Sequence, residues 1–170
     1  MSPAQPSLTL PPRTVSVTVR YPGLRPRPAA MQRLVAAIET AAGHLGWKVP
    51  AGELCIALLD EPEHSRLHAE FCGDPSPTDV ITFPGDASAH WAGDICLSLP
   101  CAQREAARRG RPPAAELALY LVHGWLHLAG FDDHAAADRR AMRAAERRLL
   151  AGIPAALIAN AFPTLPVTSP

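Results

Sequence analysis

The stretch AAELALYLVHGWLHLAGFDDH, residues 114–134, decides how this chain folds and where its chemistry sits. Residues 114–122 are Ala, Leu, Tyr and Val with a single Glu116. No Pro or Gly interrupts them, so they predict a buried helix. His123 and His127 extend that helix at i and i+4, which stacks two imidazoles on one face, one turn apart. Gly130 can take the left-handed conformation that ends a helix, and Phe131, Asp132, Asp133 and His134 then leave it as a turn. A donor just past such a break can swing back to the open side of the histidine pair. Two imidazoles and a third N or O donor, with one position left for water, are how a catalytic zinc is held.

A lone histidine on an apolar helix is commonly a core residue. A pair followed by a glycine stop and a third histidine is instead a metal-site pattern. One part of a zinc peptidase is missing from it. H-E-x-x-H places a general-base Glu directly after the first His, and here that position is Gly124. Hydrolysis would rely on the metal acidifying its own water, or on a carboxylate from elsewhere such as Asp79 or Asp94. Both requirements argue against peptide cleavage.

The same twelve letters, HGWLHLAGFDDH, resemble the signature H-G-x-L-H-L-x-G-Y-D-H of the YbeY family, single-strand-specific bacterial endoribonucleases of rRNA maturation. Two further stretches match in the same order. PTDVITFP, residues 77–84, resembles the family's P-T-D-V-L-S-F-P, and GDICLS, residues 93–98, resembles its G-D-I-x-I-S strand. The matches imply one domain over residues 14–152, with loose tails at 1–13 and 163–170. The family spaces its ligands H-x3-H-x5-H, whereas here Asp133 holds the in-register position and His134 comes one residue later. Either the turn absorbs a residue and His134 binds, which we favour, or Asp133 supplies an oxygen ligand; zinc accepts both. Many members carry an Arg after the aromatic residue ahead of P-T-D-V. Here Cys72 follows Phe71, so that arginine's role does not carry over.

The resemblance implies one Zn2+ held by His123, His127 and His134, with no catalytic group identified beyond the metal-bound water. It implies a metal-dependent endoribonuclease of 16S rRNA 3′-end maturation and ribosome quality control. Its partners would be single-stranded RNA, the rRNA precursor, and the small ribosomal subunit with its assembly proteins. Thr78, Asp79, His68 and Arg139 are the candidates for substrate binding. Two other readings stay open: a zinc hydrolase of another class (peptidase or amidohydrolase), and a non-catalytic ribosome-assembly factor with a structural metal.

The 170 residues and 18.1 kDa fit one domain with a real core. Lys+Arg 16 balance Asp+Glu 16, so bulk charge announces no polyanion partner. The cationic side chains are Arg apart from Lys48, and Arg is the better phosphate fork. No secretory signal opens the chain and no apolar run is long enough for a bilayer, so the expected location is cytoplasmic, with no membrane partner. There Cys55, Cys72, Cys96 and Cys101 should be free thiols.

Alternation predicts strands at 14–20 and 53–59, and further strands at 80–83 and 95–98. Helical spacing predicts helices at 29–42, from 60 to about 71, at 101–109, and at 135–150. Residues 85–91 read as a loop, and 153–170 as a Pro-punctuated end. His64 and His68 on the second of these helices read as solvent-facing, with His68 able to line the cleft. The order predicts an α+β domain: a small sheet covered by helices. The family resemblance adds that the sheet has about four strands, mixed in direction, with the metal site on a helix and the turn after it.

Overall fold

The computed structural model describes residues 13–162. The tails expected at 1–13 and 163–170 lie outside the described residues, apart from Arg13. That side chain pairs with Glu39 and donates to the Gly52 carbonyl at 2.7 Å.

The strands are β1 (Val15–Arg20), β2 (Glu53–Leu59), β3 (Val80–Asp86) and β4 (Trp91–Ser98). They form one sheet in the order β1-β2-β4-β3. β1 and β4 both run parallel to β2, and β3 is antiparallel to β4. The expected four-stranded mixed sheet is therefore the one observed. β3 and β4 are longer than their β-branched cores suggested. The 85–91 loop shrinks to a short 3-10 turn at Ala87–Ala89, capped by Asp86 accepting from the Ser88 amide.

The described residues also form six helices: α1 (Pro28–Gly43), α2 (Glu61–Cys72), α3 (Leu99–Arg109), α4 (Pro113–Leu128), α5 (Ala136–Ala151) and α6 (Ala155–Ala161). α4 is the predicted apolar helix, and Leu117, Leu121, Trp125 and Leu126 are all buried in the main core. α1 and α4 cover the face of the sheet that carries Leu54, Ile56, Leu58, Ile95 and Leu97. α2 starts at Asp60, whose carboxylate accepts from the Glu63 amide at 3.0 Å. It covers the opposite face, where Leu59, Ile81 and Cys96 form a smaller cluster with Leu67 and Phe83.

α6 was not anticipated. Its flanking prolines read as punctuation, but it packs on α1 and brings Phe162 to 1% exposure. Burying that ring contributes about 1.5–3 kcal/mol, enough to fix a short helix. His64 is a second correction: it is 1% exposed, with Nε2 donating to the Cys96 carbonyl at 3.1 Å. Burial lowers its pKa below the ordinary 6.5, so it sits neutral under α2 instead of facing solvent. No helix among the described residues is long and apolar enough to cross a membrane.

Candidate metal centre

α4 ends as its sequence predicted. Gly130 takes φ +94°, the Phe131 amide donates to the Leu126 carbonyl, and the Gly130 amide donates to the His127 carbonyl, each at 3.0 Å. That pair of bonds is a Schellman motif, and it turns the chain sharply back over the last turn of the helix. Phe131 then packs edge-on against Trp47, with ring centroids 4.9 Å apart, which anchors the turn to the body. Residues 132–134 are thereby returned to the face that carries His123 and His127.

The two imidazoles are held from behind. His123 Nδ1 donates to Glu146 Oε1 on α5 at 2.7 Å, and His127 Nδ1 donates to the Phe131 carbonyl at 3.1 Å. A carbonyl or carboxylate only accepts, so each Nδ1 carries a proton, and a ring in its neutral form then has its lone pair on Nε2. The two Nε2 atoms face each other at 3.0 Å. Unshared lone pairs at that distance repel unless a proton or a cation lies between them. Asp133 adds charge from the turn, with its carboxylate oxygens 3.7 Å from His123 Nε2 and 3.8 Å from His127 Nε2.

These three donors lie within 4.8 Å of one another. Metal–ligand bonds of about 2.0–2.2 Å at a tetrahedral angle would put donor atoms about 3.3–3.5 Å apart, so the set fits a divalent ion after small side-chain movements. The hydrogen-bonded partners behind His123 and His127 are the kind that fix tautomer and aim in metal sites. Burial works to depress the His123 pKa, but the Glu146 hydrogen bond and the carboxylates of Glu146, Asp79 and Asp133 outweigh it and raise the value.

His134, the favoured third donor, is placed differently. Its side chain is 88% exposed, and its Nδ1 is bonded to Asp132. That bond raises the His134 pKa and lowers that of Asp132. It lines the cleft without joining the His123–His127–Asp133 group; with Asp132 and the shared Asp133 it forms a second, largely exposed cluster.

The cleft holds about 500 Å³. Thr78, Asp79 and His68 line its far wall, so three of the four substrate-binding candidates do face the histidine pair. Asp79 is also occupied structurally: its carboxylate accepts from the Val80 amide at 2.9 Å and from Thr78 Oγ1 at 3.3 Å. His68 Nδ1 donates to the Ser76 carbonyl at 2.8 Å, which leaves its Nε2 without a proton in the neutral ring. Cys72 shares that wall. Arg139 is not among the lining residues; its guanidinium caps the carbonyls of Asp133 and His134 and so braces the turn.

Gly124 has a packing reason. A Cβ there would lie 2.7 Å from Ile95 Cγ2 and 3.1 Å from Thr82 Oγ1. The position that holds the base in a zinc peptidase is pressed flat on the sheet, with no space for a Glu. Glu146 is the residue that sequence reasoning missed. It reads as one more charge among arginines, yet it follows the buried Met142 by four residues and so shares its side of α5.

A family model described as Endoribonuclease YbeY matches residues 26–154. The Endoribonuclease YbeY of Alkalilimnicola ehrlichii is 39% identical over 137 residues, covering 77% of this chain and 80% of that protein. Its counterpart from Chloroflexus aggregans is 36% identical over 137 residues, covering 74% and 86%. The solution structure of TM1509 from Thermotoga maritima matches with a TM-score of 0.56 at 21% identity, over 81% of this chain and 87% of that one. This last likeness is one of fold.

Proposed function

The chain belongs to the Endoribonuclease YbeY family, and on that premise we propose that it is a metal-dependent nuclease cutting single-stranded RNA in rRNA maturation. As a member of that family it is an enzyme that hydrolyses RNA. The finer reading is ours: one zinc ion, a substrate in the 16S rRNA precursor near its 3′ end, and a cytoplasmic role on the small ribosomal subunit with its assembly proteins, including ribosome quality control.

The observation that carries the metal is the pair of Nε2 atoms facing each other at 3.0 Å beside the Asp133 carboxylate. His123 and His127 would hold the ion, with the third donor drawn from the turn: Asp133 as placed, or His134 after the turn rearranges. When bound, the ion supplies Lewis acidity toward a phosphodiester oxygen and toward water. Glu146 and the Phe131 carbonyl keep both imidazoles aimed at it. Thr78 and His68 offer a hydroxyl and a ring nitrogen across the cleft, where they can orient a ribose or phosphate. The closed-off Gly124 favours this reading over a peptidase, because the base of that chemistry has no place to stand.

The test compares wild type with His123→Ala on single-stranded RNA, with and without a chelator. Cleavage that needs both the histidine and the ion is the expected result. Equal cleavage in all arms would point to a contaminating nuclease and remove the proposal.

A further inference from the structure

Arginines are spread along this chain, but most of the clustered ones are neutralised. Arg104 forks onto Glu61 at 2.8 and 2.9 Å. Arg108 and Arg109 share Glu105, and Arg109 and Arg111 converge on the fully buried Glu116. Arg66 pairs with Glu70. The arginine run beside α4 is thus a structural clamp, with most of its charge already paired.

α5 is different. Arg140, Arg143, Arg147 and Arg148 are all exposed, and none has a hydrogen bond or ion pair among the described residues. The helix also carries Asp138 and Glu146, and Glu146 is already committed to His123. At about 100° per residue, Arg139, Arg143 and Arg147 follow one another down a single edge of the helix, with Arg140 beside them. That edge adjoins the one from which Glu146 reaches the metal histidines, because Glu146 and Arg143 are three residues apart. At the head of the row, Arg139 holds the carbonyls of Asp133 and His134 at the mouth of the cleft. The row spans about 12 Å along the helix axis.

We infer that the α5 edge formed by Arg140, Arg143 and Arg147 is a docking track for the sugar–phosphate backbone of single-stranded RNA, leading from the metal cleft. The inference rests on the nuclease reading for its choice of polyanion. Its own support is the charge: in a chain with balanced totals, α5 carries four exposed guanidinium groups with no partner among the described residues. Guanidinium forks match phosphate oxygens bidentately, and their planes can stack on bases. Such contacts position a strand without reading its sequence.

The test measures binding of a short 2′-O-methyl RNA strand, which lacks the 2′-hydroxyl, to chelator-treated protein across a series of salt concentrations. The combined variant Arg140→Gln, Arg143→Gln, Arg147→Gln is compared with Arg25→Gln, Arg66→Gln, Arg108→Gln, which removes the same formal charge elsewhere. Gln keeps helix propensity near that of Arg, and a thermal melt of each variant checks folding. The α5 variant should bind roughly tenfold or more weakly at moderate salt, and its log–log salt slope should be shallower by about 2. The control should keep the wild-type slope. Equal losses in both variants, or no loss in either, would overturn the track. Binding by wild type that depends on α5, without RNA cleavage once metal is restored, would leave the track standing and sink the nuclease reading.

Discussion

Glu146 turns a pair of stacked imidazoles into a directed one. Its hydrogen bond to His123 Nδ1 fixes which nitrogen faces the cleft, and such partners are worth about 10–100-fold in metal affinity. Glu146→Gln should therefore weaken zinc binding by about that factor, measured by competition with a chromogenic chelator. Unchanged affinity would mean that the Glu146 charge does not tune the site. Asp133 and His134 divide by the same measurement. Asp133→Ala should cost the larger part of the affinity and His134→Ala little; the reverse order would show the turn rearranging to bring His134 in. The histidine pair was legible in sequence because helical spacing fixes a face. The third donor was not, since one inserted residue in a turn changes which side chain points inward, and only the backbone decides that.

At the scale of elements, α4 is set by its contact with the sheet. Gly124→Ala places a methyl 2.7 Å from Ile95 Cγ2, on the stiff branch of a buried residue. Overpacking of this kind costs about 1–3 kcal/mol, partly offset by the ~1 kcal/mol helix gain of Ala over Gly. The denaturant midpoint should fall with the slope unchanged. α2 carries a pH dependence. The folded pKa of His64 lies below the ordinary 6.5 because burial disfavours its charged form. Its contribution is full above pH 6.5 and is lost as the pH falls through the lower folded value. His64→Gln should flatten the acid limb of a stability-versus-pH curve below 6.5; an unchanged limb would place that dependence in other groups.

Element types were largely readable, and the failures have physical causes. β4 begins at Trp91, although Gly93 and Asp94 look like turn residues. In the sheet Gly93 takes φ +139°, and a Cβ there would lie 2.6 Å from the Phe83 carbonyl and 2.7 Å from Leu128 Cδ2. Tertiary contact, and no local pattern, demands that glycine. α6 was hidden for the same reason: its stability comes from packing on α1, which no window of its own residues reveals.

For the whole molecule, the proposed ion between α4 and the following turn would tie two elements together and bind only the folded chain. At 100 times its dissociation constant it adds about 2.7 kcal/mol, which should raise the melting temperature by roughly 5–10 °C. A chelator should reverse the rise in wild type and do nothing to a His123→Ala, His127→Ala double variant. A rise that persists in that variant would place the ion elsewhere. The family, the α+β class and the four-stranded sheet were all within reach of the sequence, because three motifs fall in order along it. The helix-to-sheet distances that shape the cleft were not.

The donors and their supports lie close together in the chain, between His123 and Glu146. Closing a segment of that length is entropically cheap, and each doubling would add only about 0.6 kcal/mol. The sheet, by contrast, must pair β1 with β2 across the whole of α1 and fit β4 between β2 and β3. During synthesis the strands leave the ribosome first, and the histidine hairpin follows, closing on itself through short-range contacts and docking on the sheet and Trp47 already made. A circular permutation with its new ends between α3 and α4 would keep that hairpin uncut, so metal loading should survive a rearrangement that scrambles the order in which the sheet is made.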